Sequence, residues 1–250
     1  MPDEIFAHPR LAAIYDDVDA DRRDLDLYFG TVDEFEARLV LDIGCGTGTF
    51  ACALATNDVN VIAVDPAAAS LEVARRKPGA DRVRWIVGDA ASLPRIDSPD
   101  AADLATMTGN VAQVFLTDGE WYANLAGIRR SIRVAGRVVF EVRDPTRRGW
   151  EEWTRDRSFR RVETEAAGVV ETWVELTDVS VPFVSFRHTY RFNDGATLTS
   201  DSTLRFRERE EVVTSLVESG FDVLDIRDAP DRPGRELVFV ATRSSAMSAD

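Results

Sequence analysis

The sequence predicts an α/β protein built on a doubly wound parallel sheet, with an antiparallel β insertion after the fifth strand. Three observations carry that expectation. Strand and helix patterns alternate for about 110 residues from position 38. The first strand runs into a glycine-rich loop, LDIGCGTGTF at 41–50, where such sheets bind ligands. Residues 151–207 then switch to period-2 alternation and are too long for a loop.

The elements follow in order. RLAAIYDDV (10–18) and RRDLDLYFGTVDEF (22–35) carry apolar residues at helical spacing in an acidic N-terminal stretch. RLVLDI (38–43) is a strand and TFACALA (49–55) a helix. VNVIAVD (59–65) is a buried strand, and SLEVARRK (70–77) is a helix that Pro78 and Gly79 end. RVRWIVGD (82–89), ADLATMT (102–108) and RVVFEVRD (137–144) complete five strands. Between the last two, Trp121, Leu125, Ile128 and Ile132 mark one helix face. After the insertion come a helix at 208–219, stopped by Gly220, and strands at 221–227 and 236–243. The division is therefore N-terminal helices and α/β core over 1–150, insertion over 151–207, the rest of the core over 208–243, and a disordered tail over 244–250.

Composition narrows the partners. The 250 residues suit one large domain with an insertion, and 44% hydrophobic content supports a packed core. No run of 18 apolar residues predicts a membrane helix, and MPDEIFAHPR lacks a signal core. Cys45 and Cys52 have neither CxxC spacing nor nearby histidines, so free thiols in a cytoplasmic protein are expected. A net charge of −14 disfavours nucleic acid and anionic membranes, and acids surround the short arginine clusters. A small molecule is the expected partner; a monomer and a homodimer are both open. His8 lies in the tail with no evident partner.

The glycine loop can be weighed against known phosphate loops. Its spacing is G-x-G-x-G, with Thr49 where a dinucleotide fingerprint needs its third glycine, and it lacks the lysine of a P-loop. Asp65 ends the second strand, 21 residues after Gly44, where a carboxylate can accept a ribose diol. Asp89 and Ala90 end the third, within reach of an adenine amino group. Ribose and adenine with no phosphate site describe an adenosine without phosphates.

The segments VLDIGCGTGTFA, VIAVDPA, VGDA and TMTGNVAQVF, in this order and spacing, resemble the class I S-adenosylmethionine-dependent methyltransferases, in particular small bacterial enzymes of the methyltransferase domain 25 type. The resemblance runs from Tyr15 to Arg243. It implies a Rossmann-like seven-stranded sheet with an antiparallel last strand, S-adenosyl-L-methionine as cofactor, and methyl transfer to N or O of a small acceptor. It implies that Gly44, Cys45, Gly46, Thr47 and Gly48 wrap the methionine part, with Asp42 near its amino group. It places Asp65 on the ribose, Pro66 against the adenine, and Asp89 and Ala90 around the adenine. Thr108, Gly109 and Asn110 would close the site beneath the sulfonium, and Tyr15 and Arg23 would reach the methionine carboxylate from the N-terminal helices. Asn110 stands where these relatives often carry histidine, which puts a titrating role there in doubt. For Tyr15 the plain alternative is a filler on the sheet edge, for Cys45 a small loop filler, and for Asp65 a helix cap.

The acceptor side must be read from the insertion. FVSFRHTYRFNDGATLTSDSTLRF (183–206) reads as a hairpin around NDG. Matching apolar faces pairs Phe192 with Leu198, Phe186 with Leu204 and Val184 with Phe206. His188 then faces Ser202 and Tyr190 faces Ser200. His188 and Tyr190 are thus candidate acceptor-binding residues, with His188 and Asn110 as catalytic candidates. The alternative for His188 is a half-buried side chain satisfied by serine. Arg143 is a further pocket candidate; otherwise it pairs with Asp144 or Glu141. No metal site is expected. Two rivals remain: a non-catalytic S-adenosylmethionine-binding or scaffold protein, and an NAD-dependent oxidoreductase, which the loop spacing disfavours.

Overall fold

The computed structural model describes residues 2–93 and 101–245. Most of the expected tail, residues 246–250, lies outside them.

Seven strands form the main sheet: β1 (Leu39–Ile43), β2 (Asn60–Asp65), β3 (Val83–Val87), β4 (Ala102–Met107), β5 (Ile132–Arg143), β10 (Phe221–Asp228) and β11 (Glu236–Arg243). Their order is β10-β11-β5-β4-β1-β2-β3, and β11 runs antiparallel to both neighbours. The central strands are covered on both faces, which is why they read as continuous apolar runs. On one face, Trp121, Leu125 and Ile128 of α7 (Asp118–Ser131) and Val212 and Leu216 of α9 (Arg209–Glu218) build one core. On the other, Leu25, Tyr28 and Val32 of α4 (Asp24–Glu34) and Phe50, Ala51 and Leu54 of α5 (Thr49–Thr56) build a second. Helix α6 (Ala68–Ala74) ends before Lys77, three residues short of the sequence expectation.

The second sheet is an antiparallel meander of β6 (Arg160–Thr164), β7 (Gly168–Ser180), β8 (Phe183–Phe192) and β9 (Thr197–Arg205). It starts later than the pattern suggests. Residues 145–147 and 149–152 are 3₁₀ turns, and Arg155–Ser158 is the short helix α8. Trp150 and Trp153, three apart, both turn onto Phe206, a spacing that suits a helical turn and not a strand.

The β8–β9 register differs by two residues from the expected one. The hairpin closes over Asn193, Asp194 and Gly195, with Phe192 bonded to Ala196 and Gly195 in the left-handed region. Such a three-residue loop needs its glycine there. Consequently His188 faces Ser200, Tyr190 faces Leu198, Phe186 faces Ser202 and Val184 faces Leu204. A shift of two keeps every side chain on its expected face while changing each partner.

The N-terminal helices are also shorter than expected. α2 (Pro9–Ala12) and α3 (Tyr15–Val18), preceded by α1 (Glu4–Ala7), replace a continuous 10–18 helix, and the Ile14 N–H bonds only three residues back, to Leu11. His8 caps α2, its Nδ1 accepting the Arg10 N–H at 3.2 Å. These helices cover the meander: Leu11, Ile14 and Val18 pack on Val170, Tyr190 and Phe192.

Candidate active site

The glycine loop is a backbone device. Gly44 has φ +69°, and a Cβ there would lie 2.4 Å from Val111 Cγ2, so the position excludes any side chain. Gly46, φ +53°, has open space in the direction of its missing Cβ. Between them, the Cys45 side chain is buried, and burial raises its thiol pKa well above the ordinary value, so it is a filler and not a nucleophile. Gly48, also left-handed, caps α5.

Asp65 closes the loop from β2. Its carboxylate accepts the Gly46 N–H at 2.8 Å and the Ala67 N–H at 2.7 Å. Both oxygens keep further lone pairs. Burial raises its pKa despite these bonds. Asp42, at the end of β1, is fully buried: Thr106 donates to Oδ1 at 3.3 Å, and Oδ2 has no partner. Burial lifts its pKa to about 7. Asp89 is exposed and forms a capping box with Ser92, while Ala90 is buried and Pro66 exposed.

The N-terminal segment clasps this loop. Thr47 and Thr49 donate to Asp16 Oδ1 at 2.6 and 3.2 Å, and Lys77 Nζ lies 2.6 Å from Asp16 Oδ2. The same segment is tied to the meander: Ser202 donates to Asp3 at 2.5 Å, and the Ile5 N–H donates to Ser200 at 2.9 Å. Tyr15 packs its ring at a tilt against Phe6 and donates to Asp19. Arg23 turns outward into an exposed pair with Asp21; its neighbour Arg22 is the half-buried one, paired with Asp24. The sequence reading missed Asp16 because helical phase in so short a helix is not legible. That Lys77 is the chain's single lysine was the one usable signal.

A third cluster lies at the ends of β4, β5 and β11. Thr108 and Asn110 are buried, and Gly109 and Asn110 both have left-handed backbones. The Asn110 N–H donates to Glu141 Oε1 at 2.5 Å, and its Nδ2 donates to Glu236 Oε1 at 3.2 Å. Arg232 donates to that same Glu236 oxygen at 2.7 Å. Burial, with Glu236 nearby, raises the Glu141 carboxyl to about 8. Arg143 does not pair with Asp144 or Glu141: its Nε lies 3.7 Å from Glu236, directly across the ladder, and it donates to Gln113. Sequence reasoning missed Glu236, which lies 126 residues from Asn110 and meets it only through the antiparallel return of β11.

On the meander, His188 lies between Phe186 and Tyr190, with Nδ1 buried and unpartnered. Burial, then Arg160, lowers its pKa to about 4. Tyr190 is sealed in the core under α2 and α3 and so is structural here. The described residues contain no group of three or more potential metal ligands.

Residues 40–136 match the family model described as "Methyltransferase domain". The chain carries a methyltransferase domain over these residues. The domain's matched segment runs from β1 into β5 and contains the glycine loop, Asp65 and Asn110. A cypemycin N-terminal methyltransferase from Streptomyces sp is 34% identical over 110 residues, 44% of each chain. A demethylmenaquinone methyltransferase from Thermobifida fusca (strain YX) is 33% identical over 154 residues, 54% of this chain and 62% of that one. The chain thus spans roughly half the length of these relatives. Among solved structures, an S-adenosylmethionine-dependent methyltransferase from Clostridium acetobutylicum ATCC 824 superposes with TM-score 0.73 at 17% identity, over 94% of this chain and 98% of that one. The amino pentose methyltransferase CalS10 from Micromonospora echinaspora, solved with SAM bound, gives 0.71 at 22%, over 92% and 97%. Both superpositions extend beyond the methyltransferase domain to the meander, and at these identities they establish the fold.

Proposed function

We propose that the protein is an S-adenosylmethionine-dependent methyltransferase acting on nitrogen or oxygen of a small molecule. The observation that carries the reading is the cradle at Gly46: open space over a left-handed loop, with the unpartnered Asp42 Oδ2 at the adjoining strand end. An unpaired buried carboxylate oxygen calls for a donor, and the amino group of a methionine moiety is one. Asp65 supplies carboxylate lone pairs for a ribose diol, and the Thr108–Asn110 turn floors the site. When bound, S-adenosylmethionine supplies a methyl group already activated on a sulfonium and ready for in-line displacement. The chain's own task is then alignment, for which orientation contributes on the order of 7–11 kcal/mol.

The acceptor enters from the side of the meander in this reading, with residues 151–207 acting as its lid. At neutral pH His188 is an uncharged imidazole whose free Nδ1 accepts a hydrogen bond from the acceptor. Relatives named for sugar N-methylation and for N-terminal methylation support nitrogen as the favoured atom.

The test is turnover of methyl-labelled S-adenosylmethionine against a panel of amines, amino sugars, phenols and alcohols, with wild type and His188→Ala. Label transfer to one acceptor class, reduced in His188→Ala at unchanged cofactor affinity, is expected. Tight cofactor binding with no transfer to any member favours a scaffold role, and equal turnover by His188→Ala removes the histidine from the site.

A further inference from the structure

The Asn110 amide has two ends, and the structure fixes which end is held and which is left unpaired. Its Nδ2 donates to Glu236 Oε1, a carboxylate oxygen that Arg232 also engages and Arg143 approaches. A carboxylate only accepts, so it selects the NH₂ end of the amide. The Asn110 backbone is pinned independently, through the Glu141 carboxyl, in a left-handed conformation that asparagine tolerates. What remains is Asn110 Oδ1, buried and without a partner. Asn110 adjoins Val111, whose Cγ2 would lie 2.4 Å from a Cβ on Gly44 of the glycine loop, and a buried carbonyl left unpaired there calls for a donor.

We infer that Glu236 is a positioning residue that orients the Asn110 amide so that its carbonyl oxygen, and not its NH₂, meets the incoming nucleophile. The nucleophile is therefore an N–H or O–H donor at the moment of attack, and an amine is held by its hydrogen with its lone pair free to turn toward the methyl group. The inference rests on the methyltransferase reading above, because it places Asn110 beneath the sulfonium. It also explains how asparagine serves at this position without titrating: the oxygen orients the nucleophile and leaves proton removal to another group.

Sinefungin tests the inference without an identified acceptor, because it carries an amine-bearing carbon where the donor carries its S-methyl group. Calorimetric affinities for sinefungin and S-adenosylhomocysteine are measured on the full chain. Wild type is expected to favour sinefungin. Glu236→Leu removes the acceptor that selects the NH₂ end, lets the amide turn over, and is expected to lower the sinefungin-to-homocysteine affinity ratio about tenfold, the scale of one hydrogen bond to a charged donor. The S-adenosylhomocysteine affinity itself should stay within about twofold, below what loss of a single neutral hydrogen bond would cause. Asn110→Asp combined with Glu236→Gln pairs an acceptor with a donor again, presents an oxygen outward, and is expected to restore the ratio. Asn110→Gly, which suits the left-handed backbone, should lower the ratio as far as Glu236→Leu does, and it decides the point if Glu236→Leu does not fold. An unchanged ratio in Asn110→Gly or in folded Glu236→Leu overturns the inference. Failure of wild type to bind S-adenosylhomocysteine overturns the methyltransferase reading instead.

Discussion

The glycine loop and the four-stranded meander face one N-terminal segment, yet they are built differently. The loop is specified by backbone: a position where no Cβ fits, another where space is left open, and a strand-end carboxylate holding loop N–H groups. The meander is specified by side chains: an apolar face sealed at one end by Leu11 and Ile14 and at the other by Trp150 and Trp153, with His188, Ser200 and Ser202 between. A backbone device of this kind suits a constant ligand, whereas a face of side chains can be rewritten for a new one.

Three substitutions sharpen the contrast. The largest effect is expected at Gly44. Gly44→Ala forces a methyl group into Val111 and an L-residue into φ +69°, and should cost about 3 kcal/mol, read from urea denaturation. A loss below about 1 kcal/mol would mean the loop relaxes freely and is not a rigid cradle.

Next comes His188, whose effect depends on pH. Its folded-state pKa of about 4 lies below the ordinary 6.5, so its contribution to stability is present above pH 6.5 and is lost as pH falls through 4. His188→Phe should therefore flatten the acid side of the stability profile by up to about 3 kcal/mol, most of it between pH 6.5 and 4. Parallel profiles for the two proteins would show that the imidazole is solvated. Asp42 and Glu141 act in the opposite sense. Their raised pKa values, about 7 and 8, make their contribution largest in acid and progressively lost toward alkaline pH.

The smallest effect is at the clasp. Asp16→Ala removes the bonds to Thr47, Thr49 and Lys77 from a partly exposed site, and should cost about 1 kcal/mol. Hydrogen exchange should then quicken over residues 3–19, with the meander's strands unchanged. Faster exchange across the whole chain would mean the segment is integral to the core and not a strap.

The same contrast explains what the sequence made legible. Alternating strands and helices, the glycine spacing and the strand-end acids depend on local chemistry, whereas the antiparallel last strand was implied only by the family resemblance, and β11 bears it out. The His188 partner depended on whether the hairpin loop holds three residues or five, a choice that Asn193-Asp194-Gly195 leaves open until Gly195 takes its left-handed place. Trp153 was read as strand because an aromatic in a short run satisfies either period, and it follows directly on a 3₁₀ turn. Arg143 and Asn110 meet through Glu236, a contact that no local pattern announces because it is made by a strand arriving from the far end of the chain.

The central claim is that the open loop position is a donor cradle, and Gly46 tests it most directly. Calorimetric titration of wild type and Gly46→Ala with S-adenosylhomocysteine and with NAD compares the two ligand classes at one site. The account predicts one-to-one binding of S-adenosylhomocysteine by wild type, no binding of NAD, and at least a tenfold loss in Gly46→Ala while the fold loses only about 1 kcal/mol. Preferential binding of NAD, or undiminished binding of S-adenosylhomocysteine by a folded Gly46→Ala, would contradict it.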